Sequence, residues 1–406
     1  MANTTLKTGK ERFEILDIVR GCALLGVLLA NMQWHSYYGY LTAAEQALLP
    51  FAELNKPLTF LTYFILDGKF YTIFSMLFGL GFSLIISKSG GGRIIFRRLF
   101  VLMLFGFAHA LLLWEGDILL LYAVLGFSLP LFNRLKNRTV LLLAVFLLLS
   151  PILLDGMRVA SEGAFKPEQP LFEKNIELMT AYGVVPLTNS NIAKLQKHGD
   201  YKTVRKNLYA GFYWRWGDLI MSNRLPKVLG LFLIGLLIGR NRLFVNLPER
   251  VPELKRIRNW GFLIGLPISI IYAYVNTYGQ NMPLMAKSTV YIFGVFPMAF
   301  AYGASLCLLY VQGYFSRIFK GMGYIGKMAL SVYLTQSLIA LLVFSGVGLG
   351  LATELGFAQV YAFGLVLFVL QMIFCRWWLS RYAFGPCEWG WRQLTYGKRI
   401  PLKYQT

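Results

Sequence analysis

Residues Arg97 to Ala123 read RRLFVLMLFGFAHALLLWEGDILLLYA, and this stretch decides the fold. Two arginines open it. Leu99 to Leu113 is then apolar or small except for His109, Trp114-Glu115-Gly116-Asp117 makes a turn, and a second apolar run heads back. The pattern predicts two membrane-spanning helices joined by a tight hairpin. At a rise of about 1.5 Å per residue, His109 sits about one and a half turns below an apex at Glu115, and Asp117 opens the second arm. A histidine and a carboxylate are thereby brought to one rim of the bilayer, where ionisable groups are costly and usually functional. The plainer reading is that His109 bonds a helix end or a neighbouring carbonyl.

Working outward, the composition agrees with a membrane chain. Of 406 residues, 56% are hydrophobic and only 15% charged, and the mean hydropathy is +0.54. A soluble chain of this length needs far more charge to cover its surface. The expected fold is all-α, a polytopic helical bundle of about ten spans. They are placed near 15–34, 70–87, 99–113, 118–132, 139–154, 228–240, 260–275, 288–311, 328–345 and 357–376. Residues 1–406 form a single membrane domain on this reading, with a long insert over 155–225 and a tail over 377–406. The polar start, MANTTLKTGKERFEILDIVRG, does not read as a cleavable signal.

The net charge of +21 is sorted by membrane side before any nucleic acid is considered, and none is expected as a partner. One set of loops holds Lys7, Lys10 and Arg12, then Lys88, Arg93, Arg97 and Arg98, then Arg134, Lys136 and Arg138. It continues with the run Arg240 to Arg258 and with Arg317, Lys320 and Lys327. The short loops of the other set hold Lys56 and Lys287. The positive-inside rule therefore puts both termini in the cytoplasm. The 155–225 insert carries ten Lys and Arg, but long loops cross regardless of charge. It reads as a lid or acceptor platform, or more plainly as an interfacial aromatic helix.

Cys22, Cys307, Cys375 and Cys387 form no CxxC pair and read as small core residues, with no disulfide framework and no metal site. The Gly90-Gly91-Gly92 run beside Arg93 reads as a flexible turn rather than an anion loop. In the first span Asp17 and Arg20 share a helix face near one end. Asn31, about 16 Å further along the axis, and His35, one turn beyond it, lie near the other. There is no convincing internal repeat and no pair of proline-broken spans.

Several of these stretches together resemble the YeiB family of bacterial inner-membrane proteins. They are LDIVRG with its span ending in Asn, FYTIFSMLFGLGF, the FGFAHALLLWEGDILLLYA hairpin, GKMALSVYLTQS and the closing GPCEWGWRQLTYG. That family is in turn similar to transmembrane acyltransferases that include heparan-α-glucosaminide N-acetyltransferase. The resemblance implies a cytoplasmic acyl-CoA donor and an acceptor reached from the other face. In the N-acetyltransferase branch the first span carries RG and then Asn at the spacing of Arg20 and Asn31, with a catalytic His soon after; His35 stands here at a different spacing. The sugar O-acyltransferase branch has a His where this chain has Ala30. His109 is the histidine of the YeiB-like hairpin.

Acyl transfer needs a base and a donor for the developing oxyanion. His109, Asp117, Asn31 and His35 are the catalytic candidates, with a carboxylate fixing the histidine's tautomer. Glu115, Tyr333 and Gln336 are candidates for binding the acceptor, and Asn31, Tyr333 or Gln336 for stabilising the oxyanion. Arg20, Arg93, Arg97 and Arg98 are candidates for the phosphates of coenzyme A, although basic loops also serve orientation alone. The expected partners are membrane lipids and a small-molecule, glycan or lipid acceptor, and a homo-oligomer is compatible with the pattern. The competing class is a transporter or lipid flippase with His109 and Asp117 as proton relay or substrate site. A third is a membrane scaffold in which the polar sites only join helices.

Overall fold

A computed structural model describes residues 13–89, 92–279 and 281–404 of the chain. Lys7, Lys10 and Arg12 of the first basic group, and Gly90 and Gly91 of the glycine run, lie outside the described residues, as does the Lys88 side chain. The described residues are helical throughout apart from loops and an isolated antiparallel bridge between Tyr382 and Lys403. In a bilayer every backbone N–H and C=O must be satisfied within its own segment, so long apolar runs become helices.

The principal helices are α1 (Glu14–His35), α2 (Lys69–Ser89), α3 (Gly92–Leu112), α4 (Leu119–Gly126) and α5 (Asn137–Ala160). The insert supplies α6 (Gln169–Ala181), α7 (Asn189–His198) and α8 (Tyr201–Met221). Then follow α9 (Arg224–Arg240), α10 (Val251–Tyr278), α11 (Leu284–Val311), α12 (Ser316–Lys327), α13 (Ala329–Phe344), α14 (Phe357–Leu379) and α15 (Pro386–Tyr396). Among the described residues seven helical segments are long and apolar enough to cross a membrane, or up to nine when each of two bent pairs counts as one span. The protein is thus an all-α, multi-pass membrane bundle. The expected count of about ten differs from this. The expected span 118–132 is divided into α4 and a short helix, Leu129–Phe132, neither long enough to cross alone.

Two helix pairs are bent. α8 and α9 meet at a 69° bend, and α12 and α13 at 82°. Pro226, in the first turn of α9, removes the N–H that would bond the Ser222 carbonyl across the first break; the second break has no proline beside it. At the first, Asn223 takes a left-handed backbone, φ 51°. At the second, Met328 leaves the helical region and the chain restarts at Ala329. A search for proline-broken helices cannot find the second.

Close helix crossings set the site. α1 and α12 meet through two glycines: a Cβ on Gly21 would lie 2.1 Å from the Met322 carbonyl oxygen, and one on Gly326 would overlap the Asp17 backbone. The hairpin arms meet the same way, since a Cβ on Gly106 would come 2.4 Å from the Leu120 nitrogen. The insert folds over the His35 end of the bundle. Val204 and Leu208 of α8 pack with Leu113 at the hairpin apex and Leu341 of α13. At the Arg20 end the closing segment packs back: Trp391 of α15 donates its ring N–H to the Arg98 carbonyl at 3.0 Å.

Candidate functional site

The hairpin carries the chemistry. The approach of its arms at Gly106 brings α3 against the start of α4, so the last turn of α3 faces Asp117. His109 Nδ1 lies 2.7 Å from Asp117 Oδ2. The other carboxylate oxygen accepts the Leu120 backbone N–H at 2.6 Å, one of the orphan donors at the start of α4. Both oxygens of Asp117 are therefore fixed. On the far side of the imidazole, His109 Nε2 lies 2.8 Å from Ser337 Oγ. His109 and Ser337 are 1% exposed and Asp117 is 4% exposed. A carboxylate on Nδ1 holds the proton there, which leaves Nε2 as the acceptor for the Ser337 hydroxyl. Asp117, His109 and Ser337 thus form a hydrogen-bonded chain with the connectivity of an acid–base–nucleophile triad.

Ser337 is the residue the sequence reading missed. It is the last residue of the quoted GKMALSVYLTQS stretch and follows Tyr333 by four positions, so a helical reading places both on one face. Tyr333 does sit there, with its ring 4.9 Å from the His109 ring and its buried hydroxyl without a hydrogen-bond partner. Gln336 points elsewhere. Its amide donates to Gln371 Oε1 at 3.0 Å, and Gln371 returns bonds to Val332 and Thr335, so this group joins α13 to α14.

The other first-span candidates are set apart from this chain. His35 stacks on Trp114 at 3.9 Å between ring centroids, and Trp114 stands edge-on to His109 at 6.3 Å. Trp114 thus contacts both histidine rings. Asn31 is half-buried, and no hydrogen bond among the described residues joins it to the His109 cluster. Asp17 and Arg20 pair at 2.8 Å, and Arg20 also donates to the Gly326 carbonyl.

Two cavities approach the triad through its neighbours, Ile118 and Tyr333 on one side and Glu115 on the other, and the three triad residues line neither. One, of about 580 Å³, opens at the Arg20 end. Arg20, Arg98, Lys327 and Arg392 line it with Asp17 and Glu388, and apolar residues such as Leu24, Phe78 and Leu102 carry it inward to Ile118, Tyr122 and Tyr333. Arg98 packs flat on Trp391, 3.9 Å from its ring. Arg93 and Arg97 are exposed on α3 and do not line this cavity. Lys327 and Arg392, not singled out from the sequence, take their place. The other cavity, of about 500 Å³, lies at the opposite end. Glu115 and Tyr40 line it together with Asn175, Asn207, Gly211 and Trp214 of the insert. The 155–225 segment is therefore a wall of this cavity. Glu115 is 7% exposed; Tyr40 donates to its Oε1 at 3.2 Å, and its Oε2 is buried without a partner. Burial pushes the Glu115 carboxyl above the usual range, opposed by the Tyr40 hydroxyl and the nearby Arg215.

A further polar group lies at the α8–α9 bend. Lys69 is fully buried and donates to the Tyr63 carbonyl at 2.6 Å. Lys227 lies 4.2 Å above the Tyr291 ring, Arg224 4.8 Å above the Tyr71 ring, and Tyr272 donates to Asp67 at 2.5 Å. Nothing in the sequence reading pointed to these lysines as a group, because they fall on different helices.

Known proteins match at the level of family. Residues 238–398 match the family described as "Protein of unknown function (DUF418)". The chain is 28% identical over 412 residues to "Uncharacterized protein YxaH" of Bacillus subtilis (strain 168), covering 98% of this chain and 97% of the relative. It is 28% identical over 430 residues to "Uncharacterized protein YeiB" of Escherichia coli (strain K12), covering 95% and 96%. A Bacillus acidopullulyticus relative, "Uncharacterized 39.9 kDa protein in amylase 3'region", is 27% identical over 97% of this chain and 96% of its own length. No solved structure matches. The YeiB family, expected from the hairpin and the closing motif, is the one these comparisons return.

Proposed function

We propose that this YeiB-like chain is a membrane-embedded acyltransferase of the bacterial inner membrane, with both termini in the cytoplasm. The observation that carries the reading is the Asp117–His109–Ser337 chain set between two cavities of unlike chemistry. The Arg20 end suits a cytoplasmic acyl-CoA. Arg20, Arg98, Lys327 and Arg392 supply charge-assisted donors for its phosphates, and the apolar passage toward Tyr333 suits the pantetheine arm and acyl group. The Glu115 end, roofed by the insert, suits a polar extracytoplasmic or lipid-linked acceptor, with Glu115 Oε2 accepting a hydrogen bond from its hydroxyl or amine. His109 is the general base, Asp117 holds its tautomer, and the Tyr333 hydroxyl donates to the developing oxyanion.

The test is acyl-CoA turnover by purified protein in lipid nanodiscs, read as free thiol released and as labelled acyl group transferred to lipid or added glycan. Release that falls about 10²–10⁴-fold in folded His109→Ala supports the reading. No release with acyl chains from acetyl to palmitoyl would sink it. The orientation is tested separately with Ser190→Cys in a background lacking the four native cysteines, which should react with an impermeant maleimide from outside.

A transporter is the second reading, and the two bent helix pairs favour it. A broken helix pair beside buried Lys69 and Lys227 and half-buried Asp67 is a feature that substrate pathways use. Uptake or flip of an anionic solute or lipid in proteoliposomes, without thiol release, selects that reading.

A further inference from the structure

We propose that Ser337 is itself the first nucleophile and carries the acyl group as an ester between two half-reactions. This rests on the acyl-transfer reading above and adds a residue and an intermediate to it. Three observations lead there. First, Nδ1 of His109 is committed to Asp117, so Nε2 is the ring nitrogen that can take a proton, and Ser337 Oγ already sits on it at 2.8 Å. The first hydroxyl that His109 can deprotonate is therefore that of Ser337; an incoming acceptor would have to displace a buried serine to reach the same nitrogen. Second, serines and threonines in apolar helices commonly bond back to a carbonyl one turn earlier. Thr335 and Ser345 on this same stretch do so, to Ser331 and Leu341. Ser337 instead spends its hydroxyl on a histidine of another helix. Third, the two cavities share no lining residue. None of the three triad residues lines either cavity, but Tyr333, against the His109 ring, lines the first and Glu115, two positions before Asp117, lines the second, so an acyl carrier at Ser337 lies beside the inner end of each.

The steps balance without any redox partner. Ser337 Oγ attacks the thioester carbonyl carbon while Nε2 takes the hydroxyl proton. The oxyanion finds the unpartnered Tyr333 hydroxyl, one turn earlier on α13. Collapse breaks the carbon–sulfur bond, and the thiol leaves with the proton from His109. An acceptor hydroxyl or amine then attacks the ester, giving its proton to Nε2. Collapse breaks the bond to Oγ, and the proton returns to Ser337.

The experiment uses the full chain in nanodiscs and two probes. A fluorophosphonate bearing a short alkyl chain tests for an activated serine without assuming any donor. Acetyl-CoA carrying a heavy acetyl group tests for the ester. Peptide mass spectrometry should place both adducts on Ser337 in the wild type. Fluorophosphonate labelling should vanish in His109→Ala although Ser337 is present. Ser337→Ala, checked for unchanged melting, should lose at least about 10³-fold of turnover, as loss of a triad nucleophile does. Ser337→Cys should keep the acyl adduct but make it labile to neutral hydroxylamine. Folded Ser337→Ala that turns over acyl-CoA at the wild-type rate overturns the serine relay and leaves the acyltransferase reading standing. A serine labelled by fluorophosphonate in a protein with no thioester turnover overturns the acyl-transfer reading and the acyl relay with it, and leaves only an activated serine. An adduct mapped to a different residue also overturns the proposal.

Discussion

Ser337 Oγ and Asp117 Oδ2 lie on opposite edges of one imidazole, 2.8 Å and 2.7 Å from its two nitrogens. The arrangement depends on chain segments more than two hundred positions apart, so the closure of α13 against the hairpin is part of the chemistry. It also fixes the tautomer from one side only, which makes Asp117 the most informative single substitution.

Asp117→Asn should keep the fold and lose turnover by about 10⁴-fold, the scale seen when a triad aspartate becomes an amide. The asparagine oxygen still accepts the Leu120 N–H that now goes to Oδ1. Its amide then faces Nδ1 as a donor, which moves the ring proton to Nε2 and sets it against the Ser337 hydroxyl. Thiol release and a melting curve in the same detergent check both halves; a folded variant within tenfold of wild type contradicts this role.

His35→Ala should cost less than tenfold in turnover, because the hydrogen bonds that order the His109 ring come from Asp117 and Ser337 and not from His35. Removing the base at His109 costs about 10²–10⁴-fold. Parallel rates for the two variants decide it, and the reverse ranking would move the base to the first span.

Much of this was legible in the sequence, and the reasons are local. The His109–Asp117 contact follows from helix rise and a four-residue turn, so eight positions of sequence suffice to see it. The all-α membrane bundle follows from apolar runs that must satisfy their own backbones. What was hidden is nonlocal. Ser337 reaches His109 only because α12 and α13 bend by 82° at Met328, and no proline marks that break. Arg93 and Arg97 carry the same charge as Arg98, but Arg98 lies on the face of α3 turned toward Trp391, and that partner comes from the far end of the chain. Likewise Gln336 is chemically suited to an oxyanion, yet Gln371 on α14 claims its amide.

The difference between these arginines is itself a prediction. Arg98→Ala and Arg392→Ala should each raise the KM for acyl-CoA roughly 10–100-fold, the worth of one charge-assisted bond. Arg93→Ala and Arg97→Ala should leave it nearly unchanged. Initial rates against acyl-CoA concentration measure this. Equal effects at all four positions would mean that the arginines act through surface charge rather than as a binding mouth.

The last prediction concerns Glu388. It caps the restart of α13, accepting the Leu330 N–H at 2.7 Å, the Ser331 N–H at 3.1 Å and the Ser331 hydroxyl at 2.5 Å. Burial nevertheless pushes its carboxyl above the usual range, and these donors only partly oppose that. A carboxyl whose folded value is raised binds more protons in the folded than in the unfolded state. Its contribution to stability is therefore full below the ordinary glutamate value near 4.3 and declines as pH rises from there through the raised value. Glu388→Gln keeps an oxygen for the two backbone donors and an amide for Ser331 Oγ, and it does not ionise. The variant should therefore lose part of the fall in melting temperature with rising pH, while Glu388→Ala should melt lower at every pH because it strips the cap from α13. Melting followed by intrinsic tryptophan fluorescence across pH 4 to 8, in one detergent and one salt concentration, measures the slopes. A Glu388→Gln slope as steep as the wild type's would show that the pH response comes from another carboxyl, with Glu115, also buried and raised, the next to test by the same substitution.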